Sequence, residues 1–200
     1  MIKLPELPEL TFEEREHVYK LRGIEIPSVT TLMKPLSENV YQGINQNVMA
    51  NAASRGTAIH QAAENYLLFG IEDITPEYAP YFDAFKRWCD DYQPEVIATE
   101  NRVYHKSMLF AGTSDLICKT RSGITLVDYK STSSVNSMLC MVQLESYSRA
   151  WGTHGFEIDA QNILHLKKTG KYMVHNYPKN PEAWAVMQSL ITVRNYMNKF

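Results

Sequence analysis

The chain has 200 residues, 44% apolar and 21% charged, with 20 Lys and Arg against 22 Asp and Glu for a formal net charge of −2. That length holds a core without disulfide or metal staples, and no run of about eighteen apolar residues offers a membrane span. The near-neutral charge excludes binding of duplex nucleic acid through a broad basic face, so any basic track must be local.

In chain order, Met1-Ile2-Lys3-Leu4-Pro5-Glu6 has neither the apolar core of a signal peptide nor an Arg-rich transit character, so the expected location is the cytoplasm, with no membrane partner. Residues 1–28 read as an extended arm with a short helix or hairpin, broken by Pro5, Pro8 and Pro27. Pro27-Ser28-Val29-Thr30-Thr31 starts a helix with Ser28 as N-cap. A long helical pattern runs from Asn45 to Leu68, rich in Ala, with Gly56 as a point of division into two helices. A further helix spans about Pro76 to Tyr92, its apolar face made by Tyr78, Tyr81, Phe82, Phe85 and Trp88. The period then changes. Val96–Tyr104 reads as a strand, Leu116-Ile117-Cys118 and Ile124–Val127 as the strands of a hairpin turned at Lys119–Gly123. A helix from about Val135 to Gly152 follows, then a buried strand from Ala160 to Lys168 that pairs with Tyr172–Tyr177, and a closing helix from about Pro181 to Lys199. The helix between strands makes part of the sheet parallel.

The hairpin carries the chemistry. Asp115 begins one of its strands and Asp128, thirteen residues later, ends the other, so the two carboxylates can hold one divalent cation between them. Lys130 lies two residues past Asp128 and shares its strand face. A buried acid pair with an ammonium beside it suits a hard metal ion and phosphate chemistry. Without a metal, Asp115 closes a turn and Asp128 merely pairs with Lys130. Cys89, Cys118 and Cys140 are odd in number and lack CxxC spacing, and read as reduced thiols.

Gly112-Thr113-Ser114-Asp115 with Asp128-Tyr129-Lys130 resembles the signature of the PD-(D/E)XK nuclease superfamily, and the element order resembles its αβββαβ core. Two further segments resemble motifs of the RecB-like branch: Arg55-Gly56-Thr57-Ala58-Ile59-His60 on an upstream helix and Gln143-Leu144-Glu145-Ser146-Tyr147 after the catalytic strand. Pro27-Ser28-Val29-Thr30-Thr31 adds a likeness to the phage and mitochondrial RecB-like exonucleases. The resemblance spans roughly residues 23 to 168. Each motif is short and weak alone; four in order are specific. Residues 141–200 contain no Cys, which departs from the iron–sulfur members and points to the cluster-free branch.

The resemblance implies an α/β (α+β) restriction-endonuclease-like fold, with a central mixed sheet flanked by helices and an N-terminal helical extension. It implies one nuclease domain over 1–200, with the arm and helices up to about residue 93 and the catalytic sheet core and closing helix from about 94. Asp115, Asp128, His60 and the Tyr129 carbonyl would bind Mg²⁺ or Mn²⁺. Glu100 would join them, with Glu64, four residues after His60, competing for that place. Lys130 would orient the attacking water or stabilise transition-state charge, while Gln143 and Tyr147, on one helix face, would complete the catalytic group. Arg55, Ser131, Thr132, Gln143 and Tyr147 would contact substrate; Arg102, Lys167, Lys168 and Lys171 are the other cations available for a strand track. The implied activity is a metal-dependent DNA exonuclease acting on single-stranded or resected ends in recombination, repair or phage DNA metabolism, with a single-strand annealing or replication protein as partner. A structure-specific endonuclease on the same fold, a non-catalytic nucleic-acid-binding module and a partner-dependent subunit are the alternatives.

Overall fold

The computed structural model describes residues 2–200. Its centre is a five-stranded mixed sheet in the order β4-β5-β6-β7-β8, formed by Glu95–Tyr104 (β4), Ala111–Thr120 (β5), Gly123–Lys130 (β6), Ala160–Leu166 (β7) and Tyr172–Tyr177 (β8). Neighbouring strands are antiparallel except β6 and β7, whose connection passes through helix α5 (Ser137–Thr153) and therefore pairs them in parallel.

Alternation along the strands supplies a core on each face of the sheet. On one face Val103, Ile117, Leu126 and Ile163 pack against Leu144, Ala150 and Trp151 of α5 and Met187 and Ile191 of α6 (Pro181–Met197). On the other, Leu116, Cys118, Val127, Tyr129, Leu164 and Leu166 meet Ile59, Ala62 and Ala63 of α3 (Gln46–Phe69) and Phe82, Phe85 and Trp88 of α4 (Ala79–Tyr92). The expected αβββαβ order and the flanked mixed sheet are present.

One expectation is refined and one changes. Residues 10–26 are a three-stranded meander of Leu10–Glu13 (β1), Val18–Leu21 (β2) and Ile24–Ile26 (β3), so the arm carries the hairpin with a third strand added, and helices follow it. Arg22 and Gly23, both at positive φ (52° and 81°), form the two-residue turn that pairs Leu21 with Ile24. Leu10, Tyr19 and Ile26 bury against Tyr104 and Ala111, so the meander closes the end of β4 and β5. Gly56 does not divide α3, which runs unbroken for 24 residues to a left-handed C-cap at Gly70. An interior Gly costs a helix only about 1 kcal/mol relative to Ala, and the surrounding Ala-rich turns absorb it.

The helices between the meander and α3 take a path that matters for the site. Ser28 caps α1 (Val29–Leu32) by accepting from the Thr31 N–H at 2.9 Å. Leu32 and Met33, with Leu36 and Val40 of α2 (Lys34–Val40), join the α5–α6 core. From Ile59 onward α3 belongs to the opposite face. Residues 41–58 therefore cross from one side of the sheet to the other.

A buried carboxylate ties the α5–α6 layer together. Glu145 Oε1 accepts from Arg149 Nε at 2.8 Å, and Oε2 accepts from Gln161 Nε2 at 3.2 Å and the Asn180 N–H at 3.1 Å, just before α6. Removing it strands a buried amide and a helix-entry N–H. Glu145→Ala is expected to cost about 2–4 kcal/mol in urea unfolding at neutral pH, and Arg149→Ala less, because the carboxylate then keeps its Gln161 and Asn180 donors.

Candidate metal centre

The acidic residues converge where β4, β5 and β6 come level. The pairs Thr99–Leu116 and Asn101–Ser114 bracket Glu100 and Asp115, which stand opposite one another on β4 and β5. Glu100 has φ 44°, a left-handed backbone rare for a side chain with a Cβ. The pleat of β5 also slips there. Gly112 lies under the Tyr147 ring and Ser114 accepts from Trp151 Nε1 at 3.0 Å, both on the α5 side, yet Leu116 joins the α3–α4 core and Ile117 the α5 core. Three residues instead of two separate Ser114 from Ile117 on one face, and the extra residue, Asp115, turns toward α3.

His60 meets it from above. Its Nδ1 is 3.1 Å from Glu100 Oε1 and 3.6 Å from Asp115 Oδ1, and its ring stands edge-on to Tyr129. These three residues offer one ligand atom each, all within 4.8 Å of one another. Asp115 Oδ2 accepts the Tyr129 N–H at 2.7 Å, so Tyr129 enters the site through its backbone N–H. Asp128 stands beside this group rather than in it: only 2% exposed, its Oδ2 lies 2.5 Å from Lys130 Nζ. That contact pairs the buried carboxylate with an ammonium, and no other donor reaches the oxygen among the described residues.

The remaining residues arrange around Lys130. Its Nζ also donates to Gln143 Oε1 at 3.1 Å, and Gln143 Nε2 donates to the Tyr147 hydroxyl at 3.5 Å. Tyr147 is buried, and any Cβ on Gly112 would overlap its ring, which gives the Gly of the Gly-Thr-Ser-Asp segment its steric reason. Arg55 Nε donates to Ser131 Oγ at 3.3 Å across the space between α3 and the sheet, while Thr132 Oγ1 turns to the Ser134 carbonyl. A recess of about 190 Å³ opens beside Lys130 and Gln143, lined by Thr30, Ser37, Tyr41 and Thr132.

The other residues that the sequence offered lie elsewhere. Glu64 is occupied by Thr99 and Gln61, Arg102 sits over the Phe12 ring, and Lys167, Lys168 and Lys171 occupy the turn between β7 and β8. Two contributors carried no sequence signal. His165, paired with Lys130 only through the parallel β6–β7 ladder, donates from Nε2 to the Thr132 carbonyl at 2.7 Å. Tyr19 of the meander shares a 2.7 Å hydrogen bond with Thr113, two residues before Asp115.

The electrostatics follow from this packing. Burial pushes Asp115 up to about 7, with Asp128 and Glu100 adding to the rise against the pull of His60. Burial opposes charge on His60, yet the Asp115 and Glu100 carboxylates outweigh it and raise the imidazole to about 9. Lys130 is likewise opposed by burial but held above the ordinary lysine range by Asp128 and Asp115. Three carboxylates face two cationic side chains, and the donor set fits a divalent cation, which His60, Glu100 and Asp115 would hold with Asp128 beside them.

No protein-family model and no curated protein sequence matches this chain. Among solved structures it is similar to an alkaline exonuclease (LHK-Exo) from Laribacter hongkongensis, at 13% identity over 70% of this chain and 83% of that one, with a TM-score of 0.45. A second structure of that protein, in complex with dAMP, is similar at the same identity and coverage with a TM-score of 0.44. Likeness at that level assigns no family.

A pH dependence follows from His60. Its folded-state value of about 9 exceeds the ordinary 6.5, so the metal-free protein gains stability from this proton below about pH 6.5 and loses it as pH rises through 9. An imidazole ligand must be neutral, so cation binding expels that proton and tightens with pH between about 6 and 9. Calorimetric titration with Mn²⁺ in buffers of different ionisation enthalpy is expected to show net proton release at pH 7; His60→Ala is expected to reduce that release. Equal heats across buffers would contradict the assignment.

Proposed function

We propose that this chain is a metal-dependent DNA exonuclease of the PD-(D/E)XK type, of the RecB-like branch without an iron–sulfur cluster. The observation that carries the reading is the convergence of His60, Glu100 and Asp115 beside the buried Asp128–Lys130 pair. These donors, with Asp128 turned from Lys130 and the Tyr129 carbonyl alongside, would hold a divalent cation, which would supply positive charge to the scissile phosphate and acidify the attacking water.

The chain's own residues do the rest. Lys130, released from Asp128 when that carboxylate turns to the cation, would serve as hydrogen-bond donor and charge stabiliser for the growing phosphorane, or orient the attacking water. Gln143, fixed by Lys130 on one side and Tyr147 on the other, presents its amide to a phosphate oxygen. Tyr147, its ring buried over Gly112, acts through Gln143. Arg55 and Ser131, joined across the cleft, separate to grip a phosphate, and Thr132 stands next to them. The crossing of residues 41–58 over this end of the sheet favours a strand entering by a free end, which is the basis for single-stranded or resected DNA as substrate. Recombination, repair or phage DNA metabolism is the setting in which such an activity works, with a single-strand annealing or replication protein as partner.

The test is a single-stranded oligonucleotide labelled separately at each end and incubated with Mg²⁺, Mn²⁺ or EDTA. Metal-dependent release of short products from one end is expected, with a covalently closed circular strand left intact. Cleavage of the circle would move the assignment to an endonuclease. Asp128→Ala and Lys130→Ala are each expected to lower the rate at least about 100-fold while keeping the wild-type circular dichroism spectrum. Wild-type rates in both variants would overturn the nuclease reading.

A further inference from the structure

The crossing segment is built differently from the site it spans. Between Lys34 and Arg55 the chain has no Lys or Arg, and Glu38 is the only charged residue. Amides and small or apolar side chains take their place: Gln42, Asn45, Gln46, Asn47 and Asn51 among Ala50, Ala52 and Ala53. A surface meant for phosphates alone would carry cations.

The direction of its side chains is set by α3. Val48, Ala52, Arg55 and Ile59 follow one another at helical spacing, as do Met49, Gly56 and His60 (i, i+7, i+11), so both series climb one broad face of the helix. At its lower end that face delivers Arg55 to Ser131 and His60 to Glu100. In its upper turns the same face shows Val48 and Met49 to solvent, 59% and 45% exposed. Tyr41 and Ile44, 37% and 45% exposed, continue the apolar character into the turn before α3, and Tyr41 also lines the recess beside Lys130. Apolar side chains without a partner, on the face that leads into a cleft, need an apolar occupant.

We propose that this face, from Tyr41 to Met49, is a base-contacting subsite: it takes the unstacked bases of a single strand whose phosphates lie toward Arg55, Ser131 and the metal centre. The inference rests on the nuclease reading and adds the substrate feature recognised. A duplex hides its base faces in the stack, whereas a single strand offers one apolar surface per nucleotide to Val48, Met49 and Tyr41 and polar edges to the neighbouring amides. The contact is independent of phosphate charge, so it resists salt where the Arg55 contact does not.

The test compares an ordinary single-stranded oligonucleotide with one of equal length whose nucleotides are replaced by abasic tetrahydrofuran units. The full chain and the Val48→Ser/Met49→Ser double variant, both positions solvent-exposed, are used. Fluorescence anisotropy in EDTA reads binding, and initial rates in Mn²⁺ read turnover on the same preparations. The wild-type protein is expected to bind the base-bearing strand at least about threefold more tightly than the abasic one, and the double variant to lose that preference. Equal affinity of the wild-type protein for both strands, or a preference that survives in the double variant, overturns the subsite. Binding is read without metal, so a preparation that binds with the expected preference but cleaves nothing refutes the nuclease reading while supporting this one.

Discussion

Two buried carboxylates, Asp115 and Asp128, stand beside the partly exposed Glu100, and their burial is the constraint around which the rest of the molecule is arranged. Asp115 and Asp128 are 8% and 2% exposed, far from the water that would otherwise solvate them. Buried carboxylates persist only with cations or hydrogen-bond donors against them. The fold supplies these from separate elements: His60 from α3, Lys130 from β6 and a backbone N–H from Tyr129. Each must arrive for the others to be tolerated, so the packing of α3 on the sheet and the ionisation of the site are one problem.

The irregular backbone at this place has the same origin. Gly112 and Ser114 face α5 before the slip and Ile117 does after it, so Asp115 and Leu116 turn in succession toward α3. The slip at Asp115 and the left-handed Glu100 opposite it turn both carboxylates toward α3, at a cost of order 1–3 kcal/mol for the strained residue. Well-packed neighbours hold the distortion. Trp151 anchors Ser114 on one side, Leu116 lies fully buried on the other, and Tyr19 fixes Thr113 from the meander. The N-terminal sheet therefore braces the strand that bends.

The division of labour around Lys130 is clear in charge as well as position. Below α3 the cleft is ionic, with Arg55, His60 and Lys130 facing acids and hydroxyls. Above it, residues 35–54 carry one charge in twenty positions. Ionic groups hold phosphates and cations at short range, whereas the neutral stretch offers surface to apolar groups. Helical spacing keeps the two halves of α3 on a common face, one lined by ionic groups and the other by amides and apolar side chains.

Much of the fold was legible because local rules decided it. The period change after Tyr92, the Gly123 turn, the Pro at the start of α6 and the Ser28 cap each act within a few residues, and β4 to β8 lie close to where alternation places them. The acids of the hairpin and Lys130 were legible too, because a period of two fixes which side chains share a face. The meander was less so, since strands of three and four residues with charged outer faces leave little periodicity. Gly56 misled because an isolated Gly weakens a helix without ending it. What the sequence by itself determined is the element order, the faces of regular strands and helices, and the set of chemically capable residues. Only the tertiary structure decided that Glu100 rather than Glu64 meets His60, that Asp128 leans on Lys130, and that His165 and Tyr19 stand behind the site. Those contacts join residues tens of positions apart, through a backbone slip and a parallel ladder, and no short-range pattern encodes the packing that creates them.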